Sequence, residues 1–231
     1  MGSVTKATAD VVICGAGIAG ISAAYHLSVK RGVKNILIID ERPPLTLTSD
    51  KSTECYRNWW PGPGDAMVSF MNHSIDLLEA MALETDNIFN LSRRGYLFLT
   101  GDVARADTLR DSAAEISQLG AGPLRVHDGG SSPQVYRRSP ANGFEGEPSG
   151  ADLILDTEVI MAHYPFVTEK VVAALHTRRC GWFSAQQMGI YMLEQAISHG
   201  ARLLNARVTG ATTRGGRVRA VRFQSADGDN Q

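Results

Sequence analysis

Residues 11–20, VVICGAGIAG, begin as an apolar run and break into GxGxxG at Gly15, Gly17 and Gly20. A second apolar run, Ile36 to Ile39, then ends on an acidic pair, Asp40 and Glu41. The order strand, glycine turn, helix, strand, acid predicts a βαβ unit that seats a dinucleotide. Gly15 allows the sharp turn off the strand, Gly17 lets the backbone approach a pyrophosphate, and Gly20 lets helix and strand pack closely. With Ala16, Ile18 and Ala19 between them, these residues aim N–H groups and the positive end of a helix at the diphosphate. A glycine turn without a ligand is the competing reading, and the flanking pattern argues against it.

Val11 to Cys14 read as a strand buried on both faces, which puts Cys14 in the core. Ile18, Ile21 and Tyr25 recur at helical spacing before an exit at Arg31-Gly32. Asp40 stands twenty-five positions after Gly15, where a carboxylate accepts hydrogen bonds from a ribose diol. Asp40 is preferred to Glu41 because it closes the strand. No arginine occupies that position, which disfavours a 2′-phosphate, although Arg42 keeps that alternative open.

Length and charge narrow the classes further. A chain of 231 residues can bury a sizeable core in one or two domains. Lys plus Arg number 23 against 24 Asp plus Glu, a net charge of −1, which argues against a general nucleic-acid binder or a charge-held membrane surface. No apolar run approaches the roughly 20 residues of a membrane span, and Met1 to Asp10 lack a secretory apolar stretch. Cys14, Cys55 and Cys180 form neither an even framework nor a CxxC pair, so no metal site is expected and the chain reads as cytoplasmic. In that compartment the sequons at Asn72 and Asn90 are idle.

Beyond Asp40 a proline-bearing loop, 41–64, leads to a helix whose face is Met67, Met71, Ile75, Leu78 and Ala82, with Asp65 as its N-cap. Gly95 to Thr100 reads as a buried strand and Asp102 to Leu119 as another helix. Residues 120–150, rich in Gly, Ser and Pro, read as an irregular excursion, either a mobile loop or a lid over substrate. Met188, Met192 and Ala196 mark a late helix. Ala201 to Thr209 then pairs with Arg217 to Phe223 through the two-residue turn Gly215-Gly216.

Four segments give the chain its resemblance to a known family. They are ICGAGIAGISAAYHLSVKRGVKNILIIDER, the LTSDKST loop, CGWFSAQQMGIYMLEQA, and HGARLLNARVTGATTRGGRVRAVRF. Together they resemble the D-amino-acid-oxidase-like FAD oxidoreductases, the group of sarcosine and dimethylglycine dehydrogenases and glycine oxidase. The resemblance implies an α/β fold: a Rossmann-like FAD-binding domain at 8–60 and 183–231, with an inserted α+β substrate region at 61–182. It implies FAD held with its adenosine end at Gly15, Gly17, Gly20, Asp40 and Arg42. It also implies Ser49, Ser52 and Thr53 near the pyrophosphate and flavin, and the backbone of Val208 at the adenine. No histidine lies between His26 and His73, so a covalent histidyl link to flavin is not expected. The implied reaction is oxidation of a C–N bond of an amine or amino acid by hydride transfer to flavin N5. A hydroxy-acid dehydrogenase or monooxygenase, and a non-catalytic nucleotide-binding subunit, remain as alternatives.

Residues that orient substrate are harder to read. Tyr56-Arg57-Asn58-Trp59-Trp60 brings two indoles and a guanidinium together, so Arg57 is a candidate carboxylate clamp and Trp59 a pocket wall. Packing of the aromatics, with Arg57 on the rim, is the plainer alternative. Arg178 to Trp182 invites the same choice: Trp182 walls a pocket, or it fills the core while the arginines are solvated. His163 and His176 are isolated histidines, and Cys55 reads as a small buried residue. The family usually adds a further strand beside Val11 to Cys14, on the side away from Ile36 to Ile39. This chain runs out at SADGDNQ, so an open sheet edge is expected, covered by a C-terminal fragment or partner chain.

Overall fold

The computed structural model describes residues 8–130 and 135–225. In chain order its elements are β1 (Val11–Cys14), α1 (Ile18–Tyr25), β2 (Ile36–Asp40), α2 (Thr48–Lys51), β3 (Cys55–Arg57), α3 (Ala66–Glu84), β4 (Tyr96–Thr100) and α4 (Val103–Ile116). There follow β5 (Leu124–His127), β6 (Ala151–Ile154), α5 (Thr157–His163), β7 (Ala173–Thr177), β8 (Cys180–Trp182), α6 (Ala185–Ser198), β9 (Arg202–Arg214) and β10 (Arg217–Ser225). The chain divides into two compact units, one built from residues up to Ser52 and from Ala185 onward, the other from Thr53 to Ser184. The expected borders at 60/61 and 182/183 fall elsewhere because β3 pairs with β8 inside the second unit. Of the excursion and of the SADGDNQ tail, residues 131–134 and 226–231 lie outside the described residues.

In the first unit the sheet order is β1-β2-β9-β10, with β1, β2 and β9 parallel and β10 antiparallel to β9. The continuous apolar run Ile36–Ile39 suits the central strand, which is buried on both faces. Ile36 and Ile38 pack with Ala24 of α1 and Ala196 of α6, while Leu37 and Ile39 pack with Ala206, Val208 and Phe223. Each of these Ile and Leu side chains contributes about 1.5–3 kcal/mol through burial. β1 departs from expectation. It is an edge strand, only half-buried, and Cys14 is exposed rather than core, because nothing among the described residues pairs with its outer side. Gly215 and Gly216 take φ of 59° and 72°, the left-handed pair that a tight hairpin turn requires.

The second unit contains a sheet of order β4-β7-β6-β5 and the small β3–β8 ribbon. Leu153, Leu175, Ala151 and Trp59 join Val68, Ala113 and Ile116 in one core cluster. On α3 the buried positions are Val68, Ile75, Met81 and Ala82, with Met71 and Leu78 half-buried and Met67 exposed. Asp65 stands at the N-cap position but its side chain makes no capping bond. The strand at Tyr96–Thr100 is not buried as expected: it is the outermost strand, and Phe98 and Leu99 are exposed. Nor is the excursion wholly irregular. It contains β5 and buries Tyr136, Ser139 and Phe144.

Candidate functional site

The glycine turn meets two other segments of its own unit. The Gly15 N–H extends the parallel ladder to the Ile39 carbonyl at 2.8 Å. The Asp40 carboxylate then accepts the Ala16 N–H at 2.7 Å through one oxygen and the Arg42 N–H at 2.9 Å through the other. Each oxygen keeps a second lone pair for a hydroxyl donor. Glu41 turns elsewhere and faces Arg207 at 3.9 Å. At the start of α1 the Ile18 N–H is accepted by the buried Ser49 hydroxyl at 3.3 Å, leaving that hydroxyl's own proton to donate. Ser52 and Thr53 are exposed, and Val208 lies half-buried on β9 opposite Phe223.

Sequence reasoning missed the residue that ties this corner together. Leu45 adopts φ +64°, uncommon for a leucine, with its N–H on the Ala16 carbonyl at 3.0 Å. Its own carbonyl accepts from the Gln186 side chain at 3.0 Å, and its side chain lies over Gly189, where a Cβ would come within 2.6 Å. Gly189 inside a helix is the one sequence signal that pointed to a close approach.

The three glycines of the motif differ in what they need. A Cβ on Gly20 would overlap the Gly15 carbonyl oxygen. Gly15 has φ +110°, which favours glycine. Gly17, at φ −77° and ψ 177°, meets nothing within 4 Å and has a conformation open to any residue. Neither a positive φ nor a contact with the described residues requires glycine at position 17. An oxygen-rich group fits the N–H groups, helix end and hydroxyls gathered here.

The scan against family models matches residues 10–230 to the FAD-dependent oxidoreductase family, DAO. The chain belongs to that family. FAD is its cofactor, and the turn, Asp40 and Ser49 form a corner suited to the diphosphate and ribose. No curated protein matches the chain. Among solved structures it is similar to L-proline dehydrogenase from P. horikoshii, at TM-score 0.71 and 20% identity over 93% of this chain and 49% of that one. It is also similar to glycine oxidase from Bacillus cereus ATCC 14579 (0.70, 14%, 94% and 53%) and to iminodiacetate oxidase from Chelativorans sp. BNC1 (0.65, 23%, 95% and 52%). The chain thus spans about half the length of these structures.

In the second unit the substrate candidates separate. Trp59 is buried in the core cluster, packed with Val68, Ala113 and Ile116. Trp182 is 36% exposed, so it does not fill the core, and it lines a cavity of about 370 Å³ with Cys55, Arg94, Tyr96 and Phe98. Cys55 is exposed rather than buried, since it lies on the open side of β3. The Arg57 guanidinium lies 4.0 Å from the Trp60 ring centre and 5.7 Å from that of Tyr96. Its Nε is buried without an acceptor among the described residues. Burial, then a bond to Cys55, pushes the Tyr96 hydroxyl up to about 12.

Arg178 and Arg179 are not solvated. Arg179 bonds Asp76 at 2.6 Å and Glu79 at 2.8 Å on α3. Arg178 is buried against Asp152, which also takes two bonds from Arg125 (2.8 and 2.9 Å) and faces His127 Nε2 at 2.8 Å. Burial opposes the Asp152 charge, but these bonds prevail and hold its pKa well below the carboxylate range. His176 is not isolated either: its Nε2–H donates to the Arg94 carbonyl at 3.0 Å and its Nδ1 accepts from the Tyr136 hydroxyl at 2.9 Å. Tyr136 in turn bonds Tyr164. Burial, then Arg178, lowers the His176 pKa to about 4, so the ring is neutral. This network has the character of a structural hub. His163 stacks edge-on against Tyr136, 4.8 Å between ring centres. Among the described residues no group of His, Cys, Asp and Glu could hold a metal, and no helix is long and apolar enough to cross a membrane.

Proposed function

We propose that this chain is the amino-terminal, FAD-holding portion of an oxidoreductase that oxidises a C–N bond of an amine or amino acid. The observation that carries the reading is the meeting of Gly17, Asp40 and Ser49 at one helix start, in a chain of the FAD-dependent oxidoreductase family. When bound, FAD supplies an acceptor for the hydride that leaves the substrate carbon. The protein's share is binding and orientation. Asp40 takes ribose hydroxyls, the Gly15–Gly20 turn takes the diphosphate, Ser49, Ser52 and Thr53 donate hydroxyls, and the Val208 backbone borders the adenine. Arg57, whose guanidinium has no carboxylate partner among the described residues, is suited to a substrate carboxylate, and Trp182 and Phe98 to an apolar substituent. Because the outer edge of β1 has no partner strand among the described residues, a further polypeptide, a C-terminal fragment or partner chain, completes the FAD sheet. Three unpaired cysteines fit a reducing compartment such as the cytoplasm.

The test is an anaerobic screen of the FAD-loaded protein, with any completing polypeptide supplied, against N-methylated amines, amino acids and hydroxy acids. Bleaching of the flavin by a nitrogen-bearing substrate supports the proposal. Bleaching by hydroxy acids alone, or bleaching by nothing while FAD stays bound, gives the function to a hydroxy-acid dehydrogenase or to a non-catalytic subunit.

A further inference from the structure

The β9–β10 ribbon carries a charge that the proposed oxidation does not use. From Ala206 to Ser225 the sequence contains five arginines and no Asp or Glu, in a chain whose net charge is −1, so the remaining residues carry an acidic excess. Every residue from Ala211 to Ala220 is exposed.

Register decides where the arginines point. Arg217 pairs with Arg214, Arg222 with Gly210 and Gln224 with Arg207, with shifts between Val218 and Ala220 and between Arg222 and Phe223. Side chains alternate along a strand, and a bulge resets that alternation. Counting through both shifts puts Arg207, Arg214, Arg217 and Arg222 on one face, and Val208, Ala211, Val218, Val221 and Phe223 on the other. Contacts agree: Arg222 lies across Gly210, where a Cβ would stand 2.7 Å from its Nη2, and bonds Thr212 at 3.3 Å on the same face. Val208 and Phe223 pack into the sheet core from the opposite face. Two irregularities thus gather four guanidiniums that a regular ladder would have divided.

The arrangement does not serve the fold. Like charges directly opposite on paired strands are destabilising, and Arg214 faces Arg217. Among the described residues only Arg207 of the ribbon has an ion pair, with Glu41 at 3.9 Å and both side chains exposed. Arg214, Arg217 and Arg222 have no carboxylate partner among the described residues. Guanidinium forks match carboxylates in pairs of parallel bonds.

We infer that the basic face of the β9–β10 ribbon is a docking surface for an acidic patch on a partner protein. A compact carboxylate patch suits a basic face of this size on an otherwise acidic chain. A nucleic-acid duplex, with one charge about every 1.7 Å, offers an extended line of charge rather than a compact patch.

The experiment titrates the purified chain with fluorescent poly-L-glutamate at low salt, in parallel with a DNA duplex and with phosphatidylglycerol vesicles. Poly-L-glutamate binds, weakens as sodium chloride rises, and loses at least about tenfold in affinity in the Arg214→Gln/Arg217→Gln/Arg222→Gln variant. Val218→Gln, on the other face, binds like the parent. Without probe, Arg217→Gln melts no lower than the parent, since it relieves a like-charge pair. Absence of poly-L-glutamate binding, equal binding by the triple variant, tighter binding of the duplex or the vesicles, or a lower melting temperature for Arg217→Gln would each overturn the inference. If the triple variant misfolds, Arg214→Gln/Arg217→Gln at the solvent-exposed tip carries the same test, with a loss of at least about threefold expected.

Discussion

Replacing Gly17 by alanine separates what the fold needs from what the cofactor needs. At φ −77° and ψ 177°, with nothing within 4 Å of the added methyl, the chain accommodates alanine without strain. Gly→Ala at a compatible position stabilises by about 0.4–1 kcal/mol through the unfolded state. Gly17 is also the N-cap of α1, and alanine is a poorer cap than glycine by roughly 0.5–1 kcal/mol. The two effects offset, so the cofactor-free protein should change by less than about 1 kcal/mol in urea unfolding. FAD binding should suffer, because on the proposed reading the diphosphate approaches the turn at this position. A weakening of at least tenfold, about 1.4 kcal/mol, is expected when FAD is titrated by flavin fluorescence. Unchanged FAD affinity, or a cofactor-free protein destabilised by several kcal/mol, would show that Gly17 is glycine for the fold and refute the reasoning.

Gly20→Ala should behave differently, lowering stability by about 1–3 kcal/mol as well as FAD affinity, since its Cβ would overlap the Gly15 carbonyl; thermal melts of the cofactor-free protein measure the first effect. Asp152→Asn leaves Arg178 buried and Arg125 half-buried beside a neutral amide, so urea unfolding should detect a loss of about 3–5 kcal/mol. His176 binds its proton near 6.5 when unfolded but only near 4 when folded. Its contribution is therefore complete above pH 6.5 and is lost as pH falls toward 4, by of the order of 3 kcal/mol; His176→Gln should flatten the pH dependence of stability in that window. Arg57→Lys keeps the charge but loses the planar fork, so the completed enzyme should show a KM raised about tenfold or more for a carboxylated substrate and little changed for a plain amine.

Much of the FAD unit was legible because its signals are local. The glycine turn, the fully apolar Ile36–Ile39 strand, Asp40 at its end and the Gly215-Gly216 hairpin each depend on a few adjacent residues. The expected misplacements concern edges. Cys14, Phe98 and Leu99 are as apolar as central-strand residues, but they lie on edge strands that have no outer neighbour among the described residues. Trp59 and Trp182 look alike in sequence, but Trp59 sits under α3 and α4 whereas Trp182 ends a two-stranded ribbon. The Asp152 hub was hidden by distance along the chain, since Arg125, His127 and Arg178 all lie more than twenty residues away. Its one visible sign was a carboxylate inside the apolar run Ala151–Ile154. Leu45 gave no sign of its own, because a left-handed leucine is imposed by Ala16, Gln186 and Gly189 together.

The most direct measurement is an amide NMR titration of the ¹⁵N-labelled chain with FAD, supplying unlabelled completing polypeptide where uptake needs it. Shifts concentrated at Gly15–Gly20, Arg42 and Ser49, reproduced in part by ADP and not reversed by NAD, are the predicted result. Unmoved amides along that turn while FAD binds elsewhere, or displacement of FAD by NAD, would contradict the central claim.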